Sequence, residues 1–197
     1  MASAVPRPVD VLQRMVEAVE QVRQRLLRAS AALRAGGVAY AVVGGNAVAA
    51  WVATVDRAAV RNTQDVDVLI RRADFAAARA ALEGAGFVHR QTAGVDMFVD
   101  HATASARDAV HIIFAGEVVR AGEPAANPDV NEATEFGAMR VLDLEPLVRT
   151  KLAASTIEDR MHVRDMIDVD LVDASWTSRL PPPLAARLQQ LLDTPDG

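Results

Sequence analysis

Apolar residues recur at broadly helical spacing from Val9 to Ala35, through Leu12, Met15, Val16, Val19, Val22, Leu26, Leu27, Ala29 and Leu33, and Gly36-Gly37 closes the run. A long amphipathic N-terminal helix follows from that pattern. Residues 38–43 are uncharged and rich in β-formers, and Gly44-Gly45-Asn46 then leads into an alanine-rich stretch over 47–54, which reads as strand, tight turn and helix. Residues 65–70 alternate polar and apolar at first and predict a half-buried strand, after which Asp74 is placed to cap a helix ending at Gly84. Short strands are expected at 87–89, 97–99 and 110–114, and residues 116–134, holding Pro124 and Pro128, read as a long loop with room for a strand at its start. Asp143 is placed to cap a helix running to Ser155, with Pro146 in the first turn, where a missing N–H costs little. Another helix is expected over 160–172, and Pro181-Pro182-Pro183 stiffens the lead into a last one over 184–192.

The resulting class is α/β (α+β) in one domain: an N-terminal helix, 1–37, packed on a core over 38–140, with a helical extension over 141–197. Of the 197 residues, 51% are hydrophobic and 24% charged, a globular balance outside the disordered class. The net charge of −5 excludes the overall basic field of a general nucleic-acid binder. With no cysteine, disulfides, thiolate metal sites and cysteine nucleophiles are excluded as well. Apolar stretches fall short of the ~20 residues a membrane span needs, and the N-terminus lacks a signal-peptide apolar region. A cytoplasmic chain with no membrane partner is expected.

Two constellations carry candidate chemistry. At Gly44-Gly45-Asn46 a strand runs into a helix, so backbone N–H groups and the helix dipole can meet a phosphate, although two glycines taken alone are explained more simply by a turn needing positive φ. Asp65 and Asp67 follow on one face of a strand, where a divalent cation would relieve their repulsion; the alternative is a solvated strand end paired with Arg61, Arg71 or Arg72. Together they supply a triphosphate anchor beside a metal platform, which is what attack on a nucleotide α-phosphate requires.

The stretches YAVVGGNAVAAW and RNTQDVDVLI resemble the signature of the minimal nucleotidyltransferase (polymerase β-like) superfamily. LVRTKLAAS with EDRMHVRDMIDVDLVD is similar to the C-terminal part of the AbiEii/AbiGii toxin-like nucleotidyltransferases, so the likeness extends over roughly 38–173. It implies a nucleotidyltransferase fold, a small mixed sheet flanked by helices. It also implies an NTP whose triphosphate rests on Gly44, Gly45 and Asn46, and Mg²⁺ or Mn²⁺ on Asp65 and Asp67. Lys151 and the Arg164-Asp165 pair match the toxin-like motif on the C-terminal helices, with Lys151 or Arg61 offsetting phosphate charge. An RNA end as acceptor and a cognate antitoxin as partner complete what the resemblance implies. The plainer alternatives are a surface lysine at 151 and a helix-stabilising Arg164–Asp168 pair.

One departure concerns the third carboxylate that many members carry on a later strand, where this chain offers His111. An imidazole suits proton acceptance better than magnesium, and the alternative is a hydrogen-bonded strand histidine. Asp100, Asp108 and Glu117 are the nearby acids that remain as metal ligands. His89, His101 and His162 lack zinc-ligand spacing, no Gly-x-Ser-x-Gly elbow is present, and Trp51 and Trp176 read as packing residues. The leading expectation is a Mg²⁺-dependent enzyme moving a nucleoside monophosphate from an NTP to an acceptor hydroxyl. Its rivals are a catalytically inactive module of the same fold that binds a nucleotide or a protein, and a small-molecule modifier such as an antibiotic adenylyltransferase. RNA steering would fall to Arg71, Arg72, Arg79, Arg149, Lys151, Arg160 and Arg164.

Overall fold

The computed structural model describes residues 8–118 and 124–194. The elements run α1 (Pro8–Ala35), β1 (Tyr40–Val43), α2 (Gly44–Val52), β2 (Val66–Ile70), α3 (Phe75–Gly84), β3 (Val88–Thr92), β4 (Val95–Val99) and β5 (Ala109–Phe114). After the 116–132 connection come β6 (Ala133–Phe136), β7 (Met139–Leu142), α4 (Leu144–Ala154), α5 (Ile157–Asp168) and α6 (Pro182–Asp193). The strands form one mixed sheet in the order β3-β4-β5-β2-β1-β7-β6. Pairs β2–β5 and β1–β7 are parallel, and the others are antiparallel. The class is therefore the expected mixed α/β sheet with flanking helices.

Central β2 explains why the sheet must be covered on both faces: Val68, Leu69 and Ile70 are consecutive and all buried, and successive strand residues point to opposite sides. Helix α1 packs on α3, β2, β5 and β7, while α2, α4, α5 and α6 form a second helical group. Only the C-terminal half of α1 joins the core. Leu26, Ala29 and Leu33 are buried, but Leu12, Met15, Val16 and Val19, which continue the same stripe, are exposed. Arg25 and Arg28 tie the helix to Asp100, so that carboxylate is an anchor for α1 and not a metal ligand.

Several local expectations change. Strand β1 begins at Tyr40, and α2 begins at Gly44 itself, because Gly44 takes φ +64° and turns the chain directly into the helix. Asp74 and Asp143 stand at the predicted cap positions but make no cap hydrogen bond; the Asp143 carboxylate accepts from Thr134 Oγ1 at 2.5 Å instead. Ser155 ends α4 in the left-handed region, and α5 starts earlier than expected through a reciprocal cap between Thr156 and Asp159. The β6–β7 hairpin at the end of the long connection was not predicted; its tight turn uses Gly137 at φ +61°. Residues 117 and 118 carry no strand, and 119–123 lie outside the described residues. Trp51 packs as expected, its ring against Phe136 and its N–H donating to the Leu142 carbonyl at 2.9 Å. Among the described residues, no helix is long and apolar enough to cross a membrane.

Candidate active site

Register alone assembles the centre of the site. Antiparallel β1–β2 sets Val43 opposite Asp67, and parallel β2–β5 sets Asp67 opposite His111. Asp65, one residue before β2, shares the face of Asp67. Nδ1 of His111 lies 3.5 Å from Asp67 Oδ1 and 3.8 Å from Asp65 Oδ2. One ligand atom from each of the three residues falls within 4.8 Å of the others. The Nε2 of His111 meets the Ala106 carbonyl at 3.0 Å; a carbonyl can only accept, so Nε2 carries the hydrogen and Nδ1 is turned to the carboxylates. The Asp67 hydrogen bond raises the His111 pKa above its ordinary value, against the opposing effect of burial.

No guanidinium or ammonium group neutralises this carboxylate pair among the described residues. Arg61 binds Asp165 at 2.7 Å, Arg71 binds Asp129 at 2.9 Å, and Arg72 binds Glu117. A solvated strand end paired with those arginines is thus ruled out, and Glu117 is spent on Arg72. Asp108, in the short turn before β5, stays outside the cluster. Thr63 also reaches the pair, its hydroxyl donating to Asp65 Oδ1 at 2.7 Å. Two partly exposed carboxylates and an imidazole nitrogen turned toward them, with no guanidinium or ammonium partner among the described residues, fit a divalent cation.

The glycines are explained by the same centre. A Cβ on Gly44 would collide with the Asp67 carboxylate, and its positive φ would be strained for any other residue. A Cβ on Gly45 would stand 3.0 Å from Thr63 Cβ and 3.4 Å from His162 Nε2. Val43 offers no side-chain cap to α2, so the first-turn amides of Gly44, Gly45 and Asn46, beside Asp67, are left without a side-chain cap. The Asn46 side-chain amide donates to the Asp65 carbonyl at 2.7 Å and holds the approach to β2.

A cavity of about 560 Å³ opens from these residues toward α4 and α5, lined by Gly44, Asp67, Asn127, Lys151, Asp159 and His162 among others. Lys151 is no surface lysine: it is buried, with Nζ 2.9 Å from Asp159 Oδ1. Burial pushes the Asp159 carboxyl up, but the Lys151 charge and the Thr156 hydrogen bonds outweigh it and hold its pKa below the usual range. Burial, then the charge of Lys151, push His162 down to about 4, so its imidazole is neutral near pH 7. Asp165 is buried behind Gly45 beside a smaller cavity of about 240 Å³ that Arg61 and His162 also line. Burial raises its pKa and Arg61 pulls it back. Arg164 makes no pair with Asp168; it donates to the carbonyls of Leu191 and Thr194 at 2.5 and 2.6 Å. The contributions of Thr63, Glu158, Asp159 and His162 were not singled out from sequence. Thr156-x-x-Asp159, a helix-start pattern, was the one signal that would have placed Asp159.

No family model matches the chain, and no curated protein matches it. Among solved structures, the antibiotic-resistance factor ANT(2'')-Ia, a nucleotidyltransferase, is similar with a TM-score of 0.52 at 12% identity, over 88% of this chain and 93% of that one. The chain has a nucleotidyltransferase-like fold. JHP933 from Helicobacter pylori aligns with a TM-score of 0.45 at 16% identity, over 90% of this chain and 74% of that one.

Proposed function

We propose that this chain is a nucleotidyltransferase that moves a nucleoside monophosphate from an NTP to an acceptor hydroxyl, dependent on Mg²⁺ or Mn²⁺. The observation that carries this reading is the Asp65–Asp67–His111 cluster, without a guanidinium or ammonium partner among the described residues, whose two carboxylates line one cavity with the uncapped start of α2. Asp65, Asp67 and His111 Nδ1 would hold the ion, which when bound supplies Lewis-acid polarisation of the α-phosphate. The amides of Gly44, Gly45 and Asn46 take the outer phosphates at the positive end of α2. Lys151 spends one of its three N–H donors on Asp159 and has two left for a phosphate in the cavity that it lines. Arg61 and Asp165, bound to each other, brace the approach to β2 against α5 and leave the phosphates to Lys151.

In the transfer the acceptor oxygen bonds to the α-phosphorus, the bond to the bridging oxygen breaks, and pyrophosphate leaves. The hydroxyl proton needs an acceptor. With Nε2 held by the Ala106 carbonyl and Nδ1 given to an ion, His111 would have no nitrogen left for it. Glu158, exposed and without an ion pair among the described residues, lines an open cleft with Asp65 and His111 and is the free carboxylate on that side. An RNA end as acceptor and a cognate antitoxin as partner rest on the AbiEii/AbiGii-like α4–α5 segment. Of the cations that could steer such an acceptor, Arg71, Arg72, Arg79 and Arg149 are each paired with a carboxylate.

Calorimetric titration of NTPs with and without Mg²⁺ tests the reading. Metal-dependent binding that disappears in Asp65→Asn/Asp67→Asn is expected, and binding indifferent to both overturns it. The nitrogen donor at position 111 favours a second reading, a nucleotide-binding module without turnover. Incubation with α-labelled NTP and total RNA and protein extract separates the two, since only the enzyme transfers label.

A further inference from the structure

Two surfaces outside the nucleotide cavity are left without a partner among the described residues. The first is the N-terminal half of α1, where Leu12, Met15 and Val16 are 65%, 60% and 69% exposed, with Val11 and Val19 beside them. At 100° per residue these side chains form one stripe, and Glu17 and Glu20 border it on the side of Val16. Interrupted by no turn, the stripe continues into Leu26, Ala29 and Leu33, which are buried in the core. A helix patterned for burial along its whole length is thus covered along half of it.

The second surface is a groove of about 730 Å³ between α4, α5 and α6. Its floor is apolar, with Leu152, Val163 and Leu191, and Ile157 and Met161 on its rim are 73% and 43% exposed. Arg160, Arg164 and Arg187 also line it, and none of its lining residues is a carboxylate or an aromatic. Arg187 donates to the Leu152 and Ala153 carbonyls at 2.6 and 2.7 Å, and Arg164 caps the end of α6 in the same way. Each spends one nitrogen on these contacts and keeps other donors. Arg160 is exposed and without an ion pair among the described residues. In a chain of net charge −5, three guanidinium groups with no acid among them make this a cationic site. The lack of aromatic side chains disfavours nucleobases, which stack on them, and favours an apolar helix face with an acidic border.

We propose that the N-terminal half of α1 from one copy of this chain docks into the α4–α5–α6 groove of a second copy. The apolar stripe covers the groove floor, and Glu17 and Glu20 face Arg160, Arg164 and Arg187. The contact is heterologous, joining two different patches, so it closes as a reciprocal dimer or continues head to tail. It does not depend on nucleotide transfer. Lys151 and Ile157 line both this groove and the nucleotide cavity, so a docked helix lies against the cavity wall of its host.

Sedimentation velocity over a concentration series tests the contact in the full chain. The native protein is expected to form species larger than a monomer. Leu12→Glu/Val16→Glu and Arg160→Glu each stay monomeric, with unchanged circular dichroism because all three positions are exposed. Mixed in equal amounts, the two variants are expected to recover a one-to-one complex, since one supplies the intact groove and the other the intact helix. A native protein that stays monomeric at its solubility limit overturns the proposal. So does an Arg160→Glu variant that still associates, which would mean α1 pairs with α1, or a mixture that fails to recover the complex. Polyuridylate binding that Arg160→Glu abolishes, with no self-association in the native chain, would instead assign the groove to nucleic acid.

Discussion

The same cavity is walled by two ionisable clusters built on opposite electrostatic terms. At the strand ends, Asp65 and Asp67 share a face with His111, have no guanidinium or ammonium partner among the described residues, and retain 38% and 21% side-chain exposure. On the helical wall, Lys151 and Asp159 neutralise each other at 10% and 13% exposure, while His162 stays uncharged. A paired, buried cluster is complete within the fold, and breaking it leaves a charge with nowhere to go. An unpaired, half-exposed cluster is complete only with something from outside. The difference teaches that two charged groups on one cavity can serve it in different ways: the strand-end carboxylates await a cation from outside, while Lys151 keeps its partner in the fold and has only its remaining N–H donors for a ligand.

Charge removal should therefore act in opposite directions at the two walls. The largest effect is expected from Asp65→Asn/Asp67→Asn: transfer of α-labelled nucleotide falls by roughly a thousandfold, about 4 kcal/mol of transition-state stabilisation. Urea unfolding should show the same variant no less stable than the native chain, because a like-charge repulsion has been relieved. A loss of stability there would break the comparison. Next, Lys151→Met should lower stability by about 3 kcal/mol by stranding Asp159, and Lys151→Met/Asp159→Leu should recover most of it in the same urea assay.

Gly44→Ala is expected to cost about 2 kcal/mol, from the positive φ and the collision with Asp67. Placing it in an Asp67→Ala background should return part of that cost, which a purely backbone effect would not. The smallest effect concerns pH. His162 takes up its proton near 4 in the folded chain against 6.5 as an ordinary histidine. Between those values the unfolded state binds more protons, so stability declines as pH falls from 6.5 toward 4. Partial exposure of the ring leaves about 2 kcal/mol of that slope. Urea midpoints across the window should follow it in the native chain and flatten in His162→Gln.

Legibility from sequence differed between elements for identifiable reasons. β2 was readable because its residues alternate at first and are rich in β-branched side chains, Val66, Val68 and Ile70, and Asp65 and Asp67 came with it. The β6–β7 hairpin was not, since its strands have only four residues each and mix Glu135 and Arg140 with the apolar positions. Asp143 looks like a cap by position, yet β6 brings Thr134 to its carboxylate first. Arg164 and Asp168 have ion-pair spacing, but the exposed end of α6 offers Arg164 a cluster of carbonyls that local spacing cannot reveal.

What the sequence determined by itself was local: the helices and main strands, the glycine turn, and the two carboxylates on one strand face, all set by periodicity and backbone conformational preference. Tertiary structure alone decided charge pairing and partnership. Whether Lys151 is a surface or a buried lysine, whether Arg61 serves Asp65 or Asp165, and whether Asp100 binds a metal or α1 depend on groups distant in the chain. So does the division of α1 into a covered and an uncovered half, which share one periodic pattern. Coulombic and burial energies depend on distance in space, and a sequence records distance along the chain.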